Sequence, residues 1–97
     1  MAGSFNYRHL HYFWVVAKEG GMARAAARLG MAVQTVSTQV HELERSLGHA
    51  LLKPAGRRLV LTEAGVAAMR QADLIFQLGE SLPAAVLDTG LYYVAPV

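Results

Sequence analysis

The sequence predicts a mainly α fold in which three short helices and a two-stranded wing precede one long helix. Three observations carry this prediction. The first 48 residues hold three apolar stripes of helical period, separated by short glycine-bearing turns. Two brief apolar runs then bracket a basic, turn-rich segment, Lys53-Pro54-Ala55-Gly56-Arg57-Arg58. After Thr62 a single stripe continues at spacings of three and four residues. The chain has 97 residues, enough for one small domain and an extension but not for a separate catalytic domain. Its 54% hydrophobic and 16% charged composition is too apolar for a disordered chain.

In order along the chain, Leu10, Phe13, Trp14 and Ala17 recur at i, i+3, i+4 and i+7, predicting a helix from Asn6 to Lys18 that Gly20 and Gly21 end. Met22 to Leu29 is a second, Ala-rich helix, with Ala25, Ala26 and Leu29 on one face, Arg24 and Arg28 on the other, and Gly30 closing it. A turn of about three residues leads to a third helix, Val33 to Leu47, with Val36, Val40, Leu43 and Leu47 on its apolar face and Gly48 beyond. Ala32 stands at its N-cap, where the missing hydroxyl costs about 1 kcal/mol. Ala50 to Leu52 and Leu59 to Leu61 form a small hairpin with a cationic tip. Thr62 is the expected N-cap of the fourth helix, with Glu63 meeting the positive end of its dipole. Ala68, Ala72, Ile75, Gly79, Leu82 and Val86 follow at spacings of 4, 3, 4, 3 and 4, a seam suited to packing against a second copy. Pro83 is expected to kink or end this helix near Leu82. The expected organisation is a three-helix unit with its wing over 5–62, a linker helix over 63–88 and a strand-like or frayed tail over 89–97.

Charge divides the chain at the same place. Residues 1–62 carry eight basic side chains against three acidic ones, net +5, whereas residues 63–97 carry one against four, net −3. The first part suits a polyanion such as nucleic acid and the second does not. With no Cys there is neither a disulfide framework nor a cysteine nucleophile. His9 and His11 point different ways on one helix, and His41 and His49 have no carboxylate or thiolate set around them, so no metal and no other cofactor is expected. Ser37 and Thr38 lack partners for nucleophilic catalysis. Asp88-Thr89-Gly90 matches the short signature of aspartic proteases, but those are nearly all β with the motif early in the chain. No catalytic residue and no enzyme activity is expected. Neither a secretory signal nor a membrane span is recognised, so a soluble cytoplasmic protein is expected.

The polar face of the third helix carries the functional reading. Gln34, Thr35, Thr38, His41, Glu42 and Arg45 line it, and its first turns bear uncharged hydrogen-bonding groups in place of the usual Glu and Lys of a solvated face. Such groups read base edges. Helix, short turn, helix and basic hairpin is the order of a winged helix-turn-helix, whose second motif helix enters the major groove of double-stranded DNA. The segments Asn6-Tyr7-Arg8-His9-Leu10-His11-Tyr12-Phe13, Ala25-Ala26-Ala27-Arg28-Leu29, Ser37-Thr38-Gln39-Val40-His41-Glu42-Leu43-Glu44, Leu47-Gly48, Gly56-Arg57 and Leu61-Thr62-Glu63-Ala64-Gly65 stand in one order over residues 6 to about 80. In them the chain resembles the N-terminal DNA-binding domain of LysR-type transcriptional regulators. Tyr12-Phe13-Trp14, Lys18-Glu19-Gly20 and Gln34-Thr35 are similar to the branch that regulates sodium/proton antiporters.

The resemblance implies sequence-specific binding of an interrupted inverted repeat by a dimer or tetramer, paired through the linker helix at Ala68, Ala72, Ile75, Gly79 and Leu82. It also implies a two-lobed α/β effector domain beyond that helix, so the chain is expected to be a fragment or a short product. The positions that approach bases correspond to Val33, Gln34, Ser37 and Thr38, with Thr35 and His41 on the same face. Many relatives have Gln-Pro at Val33-Gln34 and Arg at Thr38. Gln34 suits a bidentate contact to adenine, and Thr35 or Thr38 a thymine methyl. Arg57 corresponds to the family's wing arginine, Arg58 assists it, and Lys53, Arg24 and Arg28 are candidate phosphate contacts. Pro54 replaces an Arg common in relatives, so a shallower salt dependence is expected. Two rivals stand beside this reading: a freestanding winged-helix binder of the molybdate-responsive kind, and a short interaction protein that pairs with a full-length regulator and inhibits it.

Overall fold

A computed structural model describes residues 4–90. There are four helices, α1 (Tyr7–Glu19), α2 (Met22–Leu29), α3 (Val33–Leu47) and α4 (Glu63–Gly90), and a hairpin of β1 (Leu52–Ala55) and β2 (Arg58–Leu61) that lies between α3 and α4 in the chain. Of the tail expected over 89–97, residues 89 and 90 continue α4, and the rest lies outside the described residues.

Each start has a local cause. The Asn6 Oδ1 accepts the N–H groups of Arg8 at 2.8 Å and His9 at 3.2 Å, satisfying two of the orphan donors of α1. No side chain caps α3, whose N-cap is Ala32 as the sequence predicts. The hairpin is antiparallel with Ala55 opposite Arg58, so only Gly56 and Arg57 form the loop. Gly56 supplies the positive φ of 65° that the first position of such a two-residue turn demands. The strands reach further toward the tip than the apolar runs indicated, because Lys53 and Pro54 already pair with Val60 and Leu59.

The core is built around α1, which is buried on more sides than a single stripe implies. Val15 and Val16 are as enclosed as Leu10, Phe13 and Trp14, because α2, α3 and α4 all pack against this helix. Ala25 and Ala26 from α2, Val36, Val40 and Leu43 from α3, Leu51 before the wing and Ala72 from α4 complete the core.

Thr62 joins the wing to α4. Its N–H donates to the Leu51 carbonyl at 3.0 Å, its hydroxyl donates to the Ala50 carbonyl at 2.6 Å, and the same oxygen accepts the Gly65 N–H at 3.0 Å. The first turn of α4 therefore presses on the backbone at Leu51. A Cβ on Gly65 would fall on the Leu51 carbonyl oxygen, 3.0 Å from its carbon and 3.1 Å from the Leu61 Cδ2. Only glycine fits there.

One part of a prediction fails in α4: the helix does not end near Leu82 but continues past Pro83 to Gly90. Proline removes one backbone bond and crowds the carbonyl four residues back. Here that carbonyl belongs to Gly79, and residues 77–89 are all exposed, so the freed group is open to solvent and no core contact depends on this stretch. The Ser81 hydroxyl donates to the Leu78 carbonyl at 2.9 Å on the same stretch. α4 thus has two parts. Ala68, Met69, Ala72, Ile75 and Phe76 dock on the core, and the remainder projects away from it.

A polar tie fixes the docked part. The Trp14 indole N–H donates to Asp73 Oδ1 at 2.8 Å, the Lys18 ammonium lies 3.1 Å from the same oxygen, and the Phe76 ring packs 5.1 Å from Trp14 and 5.0 Å from His11. The Trp14 and Lys18 hydrogen bonds hold the Asp73 carboxyl below the usual carboxylate range. Burial, reinforced by the Arg28 charge, pushes the His11 imidazole below its ordinary value.

Candidate nucleic-acid interface

α3 buries Val36, Val40 and Leu43 at helical spacing, which turns the alternate face outward. Val33, Gln34, Thr35, Thr38 and His41 are all exposed on it, and Ser37 is partly covered at its edge. The exposed face over the first two turns is uncharged. It offers an amide, two threonine hydroxyls with their methyls, and the open isopropyl group of Val33. These groups donate, accept and make apolar contacts without the desolvation cost of a charge.

Two adjoining clefts connect this face to the wing. One, of about 290 Å³, is lined by Ser37, His41 and Glu44 of α3, Met22 of α2, and Leu52, Pro54 and Leu59 of the hairpin. The other, of about 560 Å³, runs from the α1–α2 turn and the first residues of α2 to Arg57, Arg58 and Leu59. Met22 and Leu59 line both, so one continuous surface carries Ser37 and His41 of α3, the N-terminus of α2 and the wing tip, while Val33, Gln34, Thr35 and Thr38 line neither cleft and stand exposed on the same helix. That N-terminus has Gly21 as an uncapped N-cap and no acid in its first turn, leaving its N–H groups directed outward. Lys53 is exposed on β1 but lines neither cleft.

The basic residues divide by what they touch. Lys18 is engaged with Asp73, Arg28 lies 3.2 Å and Arg24 3.7 Å from Glu19, and Arg45 lies 2.6 Å from Glu42. Arg8, Lys53, Arg57 and Arg58 form no ion pair among the described residues. The wing therefore presents free positive charge, whereas the charge on α2 is partly balanced by Glu19. No group of three or more His, Cys, Asp or Glu able to hold a metal occurs among the described residues.

Sequence reasoning gave Glu44 no role, yet it organises this surface. Its Oε2 accepts the N–H of Leu51 at 2.7 Å and of Leu52 at 3.2 Å, and its Oε1 lies 3.0 Å from His41 Nδ1. It thereby ties the end of α3 to the start of the wing. The available signal was an acid in the last turn of a helix, where the dipole disfavours it unless it has donors of its own. In the seam proposed for pairing, Ala72 is fully buried in its own chain and Ala68 and Ile75 pack against the same core, while Gly79 and Leu82 lie on the exposed part of α4. Leu78, Val86 and Leu87 are exposed there too, and Leu74 is exposed on the outer side of the docked part.

Among the described residues no helix is long and apolar enough to cross a membrane. Asp88, Thr89 and Gly90 lie in α4, a setting unlike the β loop of an aspartic protease.

Comparison with known proteins agrees with this geometry. The family model of the bacterial regulatory helix-turn-helix protein, lysR family, matches residues 7–66. The transcriptional activator protein NhaR of Escherichia coli (strain K12) is 42% identical over 77 residues, which are 79% of this chain and 26% of that protein. Among solved structures, the BenM_DBD/catB site 1 DNA complex superposes with a TM-score of 0.81 at 27% identity, covering 89% of this chain and 96% of that one. The CbnR_DBD–DNA complex gives 0.76 at 34% identity, covering 89% and 99%. The chain spans about a quarter of the length of the curated relatives it matches.

Proposed function

The chain belongs to the LysR family of bacterial regulatory helix-turn-helix proteins, and from that premise we propose that it reads duplex DNA sequence-specifically as the N-terminal domain of a transcriptional regulator. The observation that carries this reading is the continuous surface on which an uncharged polar helix face adjoins an unpaired cationic wing. α3 lies in the major groove, with Gln34, Thr35 and Thr38 toward base edges and Val33 and Ser37 beside them. Arg57 and Arg58 reach the flanking backbone or a narrow minor groove, and Lys53 a neighbouring phosphate. Phosphate neutralisation supplies most of the affinity, and the α3 side chains the choice of sequence. The likeness to NhaR supports the finer assignment to the branch that Tyr12-Phe13-Trp14 and Gln34-Thr35 resemble.

Two copies pair through the projecting part of α4, with Gly79 and Leu82 at the contact and Leu74, Leu78 and Val86 beside it. This arrangement presents two α3 helices to an interrupted inverted repeat, and a complete regulator built on it is a dimer or tetramer. The protein works in the cytoplasm, where its DNA is, and performs no chemistry. Fluorescence anisotropy against an inverted-repeat duplex and a scrambled one, each at several salt concentrations, tests the proposal. Binding that prefers the repeat, weakens steeply with salt and saturates at two chains per duplex is expected. Equal, weak binding to both refutes it. The exposed leucines of α4 then favour a second reading, a chain that pairs with a full-length regulator and blocks it.

A further inference from the structure

His41 differs from the other side chains of the reading face because one of its ring nitrogens is already committed. Nδ1 lies 3.0 Å from Glu44 Oε1, and that carboxylate accepts two backbone N–H groups on its other oxygen. A carboxylate used wholly as an acceptor fixes the proton on Nδ1 and leaves Nε2 as the free nitrogen. The side chain is 65% exposed, so the free edge of the ring looks outward from α3, one turn beyond Thr38. Its orientation is set by a carboxylate anchored to the backbone at Leu51 and Leu52, so little ordering remains to be done when a ligand arrives.

Neutral, Nε2 presents a lone pair and is repelled by a phosphate oxygen. Protonated, it donates a charge-assisted hydrogen bond to the same oxygen, while Glu44 balances the new charge from the other side of the ring. The charges around it do not oppose this. Glu44 is the ionisable neighbour in its cleft, and the residues facing it there from α2 and the wing, Met22, Leu52, Pro54 and Leu59, carry none. On its own helix the next charges, Glu42 and Arg45, neutralise one another at 2.6 Å.

We propose that His41 is a proton-coupled phosphate contact: on binding DNA its imidazole takes one proton from solvent onto Nε2 and donates it to a backbone oxygen, with Nδ1–H retained on Glu44. The inference rests on the DNA-binding reading and adds that each protomer takes up one proton when DNA binds. Glu44 is the positioning residue that selects the tautomer.

Anisotropy of the chain against a mixed-sequence 24-base-pair duplex, at fixed low salt between pH 6 and 8.5, tests it. A phosphate contact needs no particular operator. Wild type is expected to lose affinity as pH rises, by about 3- to 10-fold per protomer per pH unit at the steepest, the upper figure being uptake of one whole proton. Its salt slope is expected to be steeper at pH 6 than at pH 8.5 by about one phosphate contact. H41Q should bind with little pH dependence, H41K should hold the tighter affinity throughout, and H49Q should behave as wild type. A flat wild-type profile, or a slope that survives in H41Q, overturns the proposal while leaving DNA binding intact. Absence of binding by every variant at every pH overturns the DNA-binding reading and this inference with it.

Discussion

Gly65→Ala tests the packing that holds the wing to α4. The added Cβ falls on the Leu51 carbonyl oxygen and lies 3.1 Å from the Leu61 Cδ2, so the backbone at Leu51 must move by about an ångström to admit it. Leu51 is fully buried, and its carbonyl also accepts the Thr62 N–H, so the shift disturbs a core side chain and a backbone bond together. Overpacking of this kind costs about 1–3 kcal/mol and the weakened hydrogen bond about 1 kcal/mol. The better helix preference of alanine returns up to about 1 kcal/mol. Net of that return, the loss is about 1–3 kcal/mol. For a domain of this size each kcal/mol moves Tm by about 4–8 °C, giving a fall of about 4–24 °C. Thermal and urea unfolding followed by circular dichroism measure it. A variant within about 0.5 kcal/mol of wild type would show that α4 can rise off Leu51 freely, and the close approach would then not explain the glycine.

Other outcomes follow from the same contacts. Ala32→Ser should stabilise the free chain by about 1 kcal/mol, read as a higher urea midpoint, because it adds a cap that α3 lacks. Arg57→Ala should weaken binding to all duplexes by a similar factor and flatten the salt slope by about one contact, whereas Gln34→Ala should relax the preference at one base pair by about 1–3 kcal/mol; anisotropy against single-site operator variants separates the two. The His11 imidazole is depressed by burial in the folded chain, so stability is full above about pH 6.5 and declines below it, as the unfolded chain takes up a proton that the folded one does not. His11→Phe should flatten that window in a pH series of unfolding curves. The Asp73 carboxyl is also depressed, so a further loss should set in below its unfolded value near pH 4 and vanish in Asp73→Asn. Leu78→Glu should leave the helical content of the chain unchanged by circular dichroism and lower the mass measured by analytical ultracentrifugation, since this leucine is 70% exposed and outside the core.

Much of this fold is legible in the sequence because its helices are set by local rules. The periods that place α2 at Met22–Leu29 and α3 at Val33–Leu47 are uninterrupted, and glycine follows each. What a one-sided stripe misses is α1, where Val15 and Val16 look solvent-facing by periodicity and are buried because three helices surround them. Pro83 does not end α4 for the opposite reason: on an exposed helix the carbonyl it frees stays open to water, so the lost backbone bond alone does not stop the helix. Gly65 is visible as part of a motif, but its cause is a tertiary approach that no local pattern encodes. The polar face of α3 could be read in advance because its composition departs from that of a solvated face. Glu44 could not, since its partners are two backbone amides that the turn after α3 brings back to it.

The seam along α4 has the same mixture of local and tertiary origin, and this bears on how two reading helices are spaced. Residues 68, 72 and 75 satisfy the heptad spacing but spend it on their own core, which fixes the rotation of α4 about its axis. Asp73, held by Trp14 and Lys18, prevents that rotation from slipping. The direction in which Leu78 and Leu82 face is therefore decided within one chain, before any partner arrives. The helix continues through Pro83, and its 28 residues span about 42 Å at the α-helical rise. In the proposed pair the separation of the two α3 helices is thus a property of the α1–α4 packing as much as of the pairing surface. Loosening the Trp14–Asp73 tie should widen the range of half-site spacings that bind while leaving the preferred base pairs unchanged, because nothing on the α3 face takes part in it.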